Sequence, residues 1–123
     1  MKIKTCEVDS KILVVMPYEY KGKDTDVIIE TEEFTCLCPW SGQPDYAHMK
    51  ISYIPAKLCV ELKSLKLYLQ SYRNTGIVHE SVVNRILNDL VKKLSPKRMS
   101  VEAIFNLRGG IKTTVKTQYE KAN

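Results

Sequence analysis

The chain has 123 residues, 44% hydrophobic and 27% charged, the balance of one ordinary globular domain over residues 1–123 with a core small enough that subunit contacts are expected to add stability. It contains no apolar run of roughly 18 residues, so no helical membrane span is expected. The net charge of +5 comes almost wholly from lysine, with four arginines and with acidic residues interleaved, which fits a solvated surface better than a base-reading nucleic-acid module with clustered arginine and stacking aromatics.

The opening residues Met1 to Cys6 precede only a short apolar run, Ile12 to Met16, which Pro17 stops. No secretory signal is expected, and the cysteines (Cys6, Cys36, Cys38 and Cys59) read as reduced cytoplasmic thiols. Ile12 to Met16 is predicted as an edge strand and Gly22 to Asp26 as a turn. Val27 to Cys36 is rich in β-branched residues and predicts a strand, and residues 39–45, with two prolines and a glycine, predict a loop. Ala47, Met49, Ile51 and Tyr53 alternate with polar residues, the period of a strand with one wet face. Pro55 interrupts this pattern, and Leu58 to Val60 resumes it. Leu65, Tyr68, Leu69 and Tyr72 follow at helical spacing, with Gly76 as the expected terminator. A second amphipathic helix carries Val82, Val83, Ile86, Leu87, Leu90, Val91 and Leu94 and stops at Pro96. Met99 to Phe105 and Ile111 to Tyr119 each alternate, and the Arg108-Gly109-Gly110 turn between them predicts a hairpin. The expected fold is α+β: an antiparallel four-stranded sheet with two helices on one face, in the order ββααββ. Its open edges would be closed by pairing with neighbouring subunits.

Three places carry chemistry. Cys38 sits where a strand meets the Pro-Gly loop, with Asp45 beyond the turn. Nucleophilic catalysis needs a thiolate and a nearby proton-handling group, although the pattern also suits a structural cysteine and an aspartate shaping a turn. Glu61-Leu62-Lys63-Ser64-Leu65-Lys66-Leu67-Tyr68 opens the first helix. Its Lys63, Lys66 and Gln70 share a face opposite the Leu/Tyr stripe, as phosphate contacts or as solvated lysines. His79-Glu80 begins the second helix, where a glutamate either favours the helix dipole or accepts hydrogen bonds from a guanine-like edge. A zinc site built from Cys36, Cys38, His48 and His79 lacks the usual spacing, and no metal is expected.

Together these segments resemble one family. Phe34-Thr35-Cys36-Leu37-Cys38-Pro39-Trp40-Ser41-Gly42-Gln43-Pro44-Asp45-Tyr46-Ala47 resembles the signature loop of the 7-cyano-7-deazaguanine reductases, in their short single-module type. Glu61 to Tyr68 matches their NADPH-associated motif, Gly76-Ile77-Val78-His79-Glu80 their substrate-binding turn, and Leu107-Arg108-Gly109-Gly110-Ile111 their late loop. The resemblance implies a tunnelling fold, assembled as a homo-oligomer of stacked rings with sites at subunit interfaces. It implies Cys38 as nucleophile, Asp45 as acid and His79 as a substrate and proton-handling residue. Glu61 and Glu80, with Val60 and Leu62, would hold the deazaguanine. Leu62, Lys63, Lys66, Arg108 and Gly109 would contact NADPH, two of which reduce one nitrile to the amine in queuosine biosynthesis. The chain departs from the family pattern at Cys36, often serine, at the variable position Trp40, at Leu62, where serine is common, and in a short tail after Tyr119. The related archaeosine-forming amidinotransferase shares the cysteine–aspartate loop but typically lacks the NADPH motif, and direct tRNA binding is not expected here.

Overall fold

In a computed structural model residues 8–122 are described, and Cys6 lies outside them. Four strands form one antiparallel sheet in the order β2-β3-β5-β6, with β2 spanning Val27–Leu37, β3 Pro44–Ile54, β5 Arg98–Phe105 and β6 Thr114–Glu120. The period-2 pattern divides the sheet into two faces. Ala47, Met49, Ile51 and Tyr53 of β3, with Met99, Val101, Ala103 and Phe105 of β5, are buried, while His48, Lys50, Ser100 and Glu102 between them remain partly exposed.

Two helices cover the apolar face. Helix α1, Leu62–Gln70, buries Leu65, Tyr68 and Leu69, and continues as a 3-10 turn through Asn74 that buries Tyr72. Helix α2, His79–Leu94, buries Val82, Val83, Ile86, Leu87, Leu90 and Leu94. These side chains and the apolar sheet face make one core. A polar network crosses it, in which the hydroxyls of Tyr68 and Tyr72 lie 2.8 Å apart and that of Tyr68 donates to Asp89 of α2. Burial pushes both tyrosines above the ordinary phenol range, Tyr72 to about 12, so they remain neutral donors.

The expected ββααββ order holds, with corrections at the short elements. Residues Ser10–Ile12 form a 3-10 turn, and only Val15–Pro17 is strand, β1. It pairs antiparallel with β4, Leu58–Val60, in a separate two-stranded ribbon. Pro17 does not end this pairing, because the last residue of a short edge strand can spare its N–H. Gly76 does not cap α1. The helix ends at Gln70, and Gly76 instead forms an isolated parallel bridge with Leu37. Pro44 and Asp45 belong to β3 rather than to the loop, since they pair with Leu37 and Cys36. Ile111 lies in the turn, where its N–H donates to the Arg108 carbonyl at 2.9 Å, and β6 starts at Thr114. Helix α2 ends as expected before Pro96, through Ser95 at a left-handed φ of 45°. No helix among the described residues is long and apolar enough to cross a membrane.

Leu90 is fully buried between α2 and the sheet. Leu90→Ala should destabilise the protein by about 2–5 kcal/mol through lost burial and a residual cavity. Urea unfolding checks this, and an unchanged midpoint would remove Leu90 from the core.

Candidate active site

The site begins where β2 runs out. The Cys38 N–H donates to the Gln43 carbonyl and the Gly42 N–H to the Cys38 carbonyl, both at 2.9 Å, which closes residues 38–43 into a tight loop. Gly42 holds φ 72°, a left-handed conformation that glycine adopts without a Cβ penalty. One residue earlier, the Leu37 N–H donates to the Thr75 carbonyl at 2.9 Å, and the Ile77 N–H to the Leu37 carbonyl at 3.0 Å. These bonds lay the segment entering α2 beside the cysteine loop, which brings His79 to the site.

Asp45 faces Cys36 across the β2–β3 register, on the buried side of the sheet, and is only 6% exposed. Its Oδ2 lies 3.2 Å from His79 Nε2, and its Oδ1 lies 2.7 Å from Arg108 Nε. Arg108 Nη2 also donates to the Pro44 carbonyl at 2.6 Å. The His79 imidazole stacks on Phe105, with ring centroids 3.7 Å apart and planes within 6°. Buried carboxylates are costly without partners. Asp45 has one partner on each oxygen, and the Phe105 ring fixes the plane of one of them.

The two neighbouring thiols differ sharply. Hydrogen bonds from the Ser41 hydroxyl, and from the Ser41 and Trp40 N–H groups, hold Cys38 below the ordinary thiol range, against partial desolvation and the Asp45 charge. Burial pushes Cys36 up to about 12, aided by the charges of Asp45 and Cys38. Of the two, Cys38 is the thiol whose ionised form is favoured, whereas Cys36 is held neutral in the core.

Val60, Glu61, Leu62, Lys63 and Lys66 form a second group, at the junction of β4 and α1. Glu61 is the N-cap of α1: its Oε2 accepts from the Lys63 N–H at 2.7 Å and its Oε1 from the Ser64 N–H at 2.8 Å. These bonds hold its carboxyl below the usual range. Lys63 and Lys66 are exposed. Beside them a cavity of about 440 Å³ separates α1 from β2, with Leu62, Lys66, Gln70 and Arg73 on one wall and Phe34 and Thr35 on the other. Glu80 is exposed in the first turn of α2, next to His79, and Gly109 turns the chain at φ 55° just after Arg108. The structure therefore gathers Cys38, Asp45, His79 and Arg108 into one cluster, and Val60, Glu61, Leu62, Lys63 and Lys66 into another. Arg108 stands in the cysteine cluster, on Asp45, rather than beside the α1 lysines.

Sequence reasoning did not single out Phe105 or the role of Ser41. Phe105 reads as an ordinary core position at a strand end. Ser41 lies inside the loop after Cys38, and its only signal in the sequence is a hydroxyl three residues beyond the thiol. No group of three or more His, Cys, Asp or Glu side chains among the described residues is arranged to hold a metal ion. His48 lies on the opposite sheet face, its Nε2 2.8 Å from Glu30.

Residues 44–123 match the family model described as QueF-like protein. The chain is 56% identical over 115 residues to the NADPH-dependent 7-cyano-7-deazaguanine reductase of Caldicellulosiruptor bescii, covering 94% of this chain and 88% of that one. It is 54% identical over 112 residues to the protein of the same name from Thermomicrobium roseum, covering 91% and 88%. Among solved structures, the archaeosine synthase QueF-Like in its apo form superposes with a TM-score of 0.73, covering 80% of this chain and 96% of that one. At 21% identity this likeness establishes the shared fold, the tunnelling-fold unit expected from the sequence.

Alkylation separates the two thiols. With limiting iodoacetamide near neutral pH, peptide mapping should find label on Cys38 and none on Cys36 until the protein is unfolded. Because the Cys38 thiol is depressed, its labelling should stay fast at pH values where a free cysteine is already slow, about 8.5 and below. Equal labelling of Cys36 in the native protein would overturn the assignment.

Proposed function

This chain belongs to the QueF-like protein family, and we propose that it reduces the nitrile of 7-cyano-7-deazaguanine to the amine of 7-aminomethyl-7-deazaguanine, with NADPH, in queuosine biosynthesis. The observation that carries the reading is the activated Cys38 thiol beside the buried Asp45–His79 pair. The identity of more than half the aligned residues with reductases of that name supports it. The reaction is a cytoplasmic step on a free base, needing neither a metal nor direct contact with tRNA.

A nitrile carbon is electrophilic but accepts hydride poorly. Attack by the Cys38 thiolate forms a C–S bond and breaks one C–N π bond, while a proton reaches the nitrogen, giving a thioimide. Asp45 and His79 hold that proton, since Nε2 and Oδ2 are close enough to share it. NADPH, when bound, supplies the hydride for each of the two C–N reductions, so two are consumed per amine. Between the reductions the sulfur leaves with the C–S bonding pair and regenerates the thiolate. The site must exclude water throughout, because the thioimide and the imine both hydrolyse.

The residues present fit these ligands. Lys63 and Lys66 offer two exposed cations beside the cavity along α1, suited to the phosphates of NADPH, with Leu62 on the cavity wall. A cofactor role for Arg108, with Gly109, requires its guanidinium to leave Asp45. Glu80 and Glu61 accept hydrogen bonds from the N–H edge of the deazaguanine, with the backbone of Val60 and Leu62 alongside. The two clusters are brought together between subunits: the outer edges of β2 and β6 have no partner strand among the described residues, and pairing them would build rings that stack as a homo-oligomer.

Purified protein incubated with NADPH and 7-cyano-7-deazaguanine should yield the amine, with two NADPH oxidised per product. Unconsumed NADPH, together with ammonia-dependent conversion of the nitrile to an amidine in tRNA, would transfer the assignment to the archaeosine-forming amidinotransferase. Without NADPH, intact mass should show a nitrile adduct that Cys38→Ala abolishes and Cys36→Ala retains. Replacing Lys63 and Lys66 by alanine should raise KM for NADPH roughly tenfold, about 1.4 kcal/mol, and leave the adduct intact. Loss of the adduct would instead place these lysines in nitrile binding.

A further inference from the structure

A buried carboxylate that shares a proton with His79 has to be held still, and the side chain that grips it comes from the β5–β6 turn. We propose that Arg108 is a positioning residue for Asp45: its guanidinium ties Oδ1 to the Pro44 carbonyl and so keeps Oδ2 turned to His79 for the proton step. The inference rests on the nitrile reduction proposed above, in which Asp45 and His79 hold the proton.

The contact is two-pronged. Arg108 Nε lies 2.7 Å from Asp45 Oδ1, and Nη2 donates to the Pro44 carbonyl at 2.6 Å. Nε and Nη2 share one edge of a rigid planar group, so the fork fixes the Asp45 side chain relative to the backbone just before it. A lysine ammonium, a point charge on a flexible stem, would not impose that relation. The turn is built to deliver the arginine. The Asn106 N–H donates to the Tyr46 carbonyl at 2.9 Å, which ties the end of β5 to β3 one residue past Asp45. Arg108 and Ile111 then exchange backbone hydrogen bonds of 3.0 and 2.9 Å around Gly109 and Gly110, both at positive φ. On the other oxygen, His79 stands at 3.2 Å with its ring flat on Phe105, so Asp45 is held from both sides.

The alternative, an arginine that meets the cofactor's phosphates, requires this fork to open. Asp45 is only 6% exposed, and one of its oxygens would lose its cation. Lys63 and Lys66 are exposed and can meet phosphates without that cost. A surface ion pair with no further role would leave both groups in water, whereas here the carboxylate is buried and only the arginine is wet. Because the Arg108 side chain is 42% exposed, its loss opens no core cavity, and the chain should still fold.

Arg108→Ala, Asp45→Asn and the double variant test this. Without NADPH, the rate of nitrile adduct formation, followed by intact mass, should fall roughly tenfold or more in Arg108→Ala, the effect of a proton-handling group out of place. In steady state kcat should fall by a similar factor while KM for NADPH stays within about twofold of wild type. Arg108→Ala should lower the melting temperature by about 5 °C, since a buried carboxylate loses a partner. In the Asp45→Asn background the same substitution should lower it by no more than about 2 °C, because the amide carries no charge to be paired. An adduct rate that is unchanged or raised in Arg108→Ala overturns the proposal. So does a tenfold rise in KM for NADPH at unchanged kcat, which would make Arg108 a cofactor contact. If the wild type forms no adduct, the reductase reading fails. The melting cycle needs no nitrile, and the clamp on Asp45 then stands if the two substitutions couple and falls if their effects add.

Discussion

The site depends on two backbone hydrogen bonds. Leu37 donates to Thr75 and accepts from Ile77, which joins the last residue of β2 to the segment that leads into α2. Without this parallel bridge, the cysteine loop and the start of α2 would be unrelated ends of separate elements. With it, Cys38 follows directly from one strand of the bridge, and His79 lies two residues beyond Ile77 on the other. Backbone groups buried at such a junction must find partners, so the bonds that satisfy the chain also set the spacing of Cys38 and His79. The bridge depends in turn on the 3-10 turn at residues 71–74, anchored by Tyr72 in the core, because that turn presents the Thr75 carbonyl to Leu37.

Asp45 organises the electrostatics of this junction. It is buried, and it survives burial because His79 and Arg108 each take one oxygen. Its charge disfavours both nearby thiolates, so the difference between Cys36 and Cys38 must come from elsewhere. At Cys36 the strand directs sulfur into the core, and desolvation wins. At Cys38 the strand has ended, the loop surrounds the sulfur with donors, and hydrogen bonding wins. One β-strand terminus thus separates a thiol held neutral from one whose thiolate is favoured, two positions apart.

Much of the fold was legible because its long elements carry clean periods. Helix α2 shows seven apolar positions on one face, and β3 and β5 alternate without error through their buried stretches. The β1–β4 ribbon was harder to read, since three-residue strands are too short to establish a period and their pairing is long-range. The position of Pro44 and Asp45 was missed for a related reason: proline and glycine signalled a loop, while the register with Leu37 and Cys36 extended the strand through them. Cys38, Asp45 and His79 were singled out as candidates, but the bond network among them was not legible. The contact of Arg108 with Asp45 joins residues far apart in the chain and follows from the β3–β5–β6 order. The stacking of His79 on Phe105 needs both the helix start and the strand end in place. Local pattern names the chemical groups, and tertiary register decides which of them meet.

Glu61 shows how one carboxylate can answer two demands. As N-cap of α1 it accepts one N–H on each oxygen, which fixes its rotamer and keeps it ionised. A carboxylate has about four lone-pair sites, so capping leaves one on each oxygen directed away from the helix. On the proposed reading those two sites receive the N–H edge of the deazaguanine. The cap then acts as preorganisation: the rotamer entropy of a glutamate is lost on folding rather than on binding. Lys63 is oriented by the same bonds, since its N–H is one of the two donors. On that same proposed reading the first turn of α1 would present an acceptor for the base and a cation for a phosphate from one rigid start, a use that the shorter capping residues serine, threonine or aspartate would not serve. A shorter side chain would cap the helix equally well but would not extend its remaining acceptors as far into solvent.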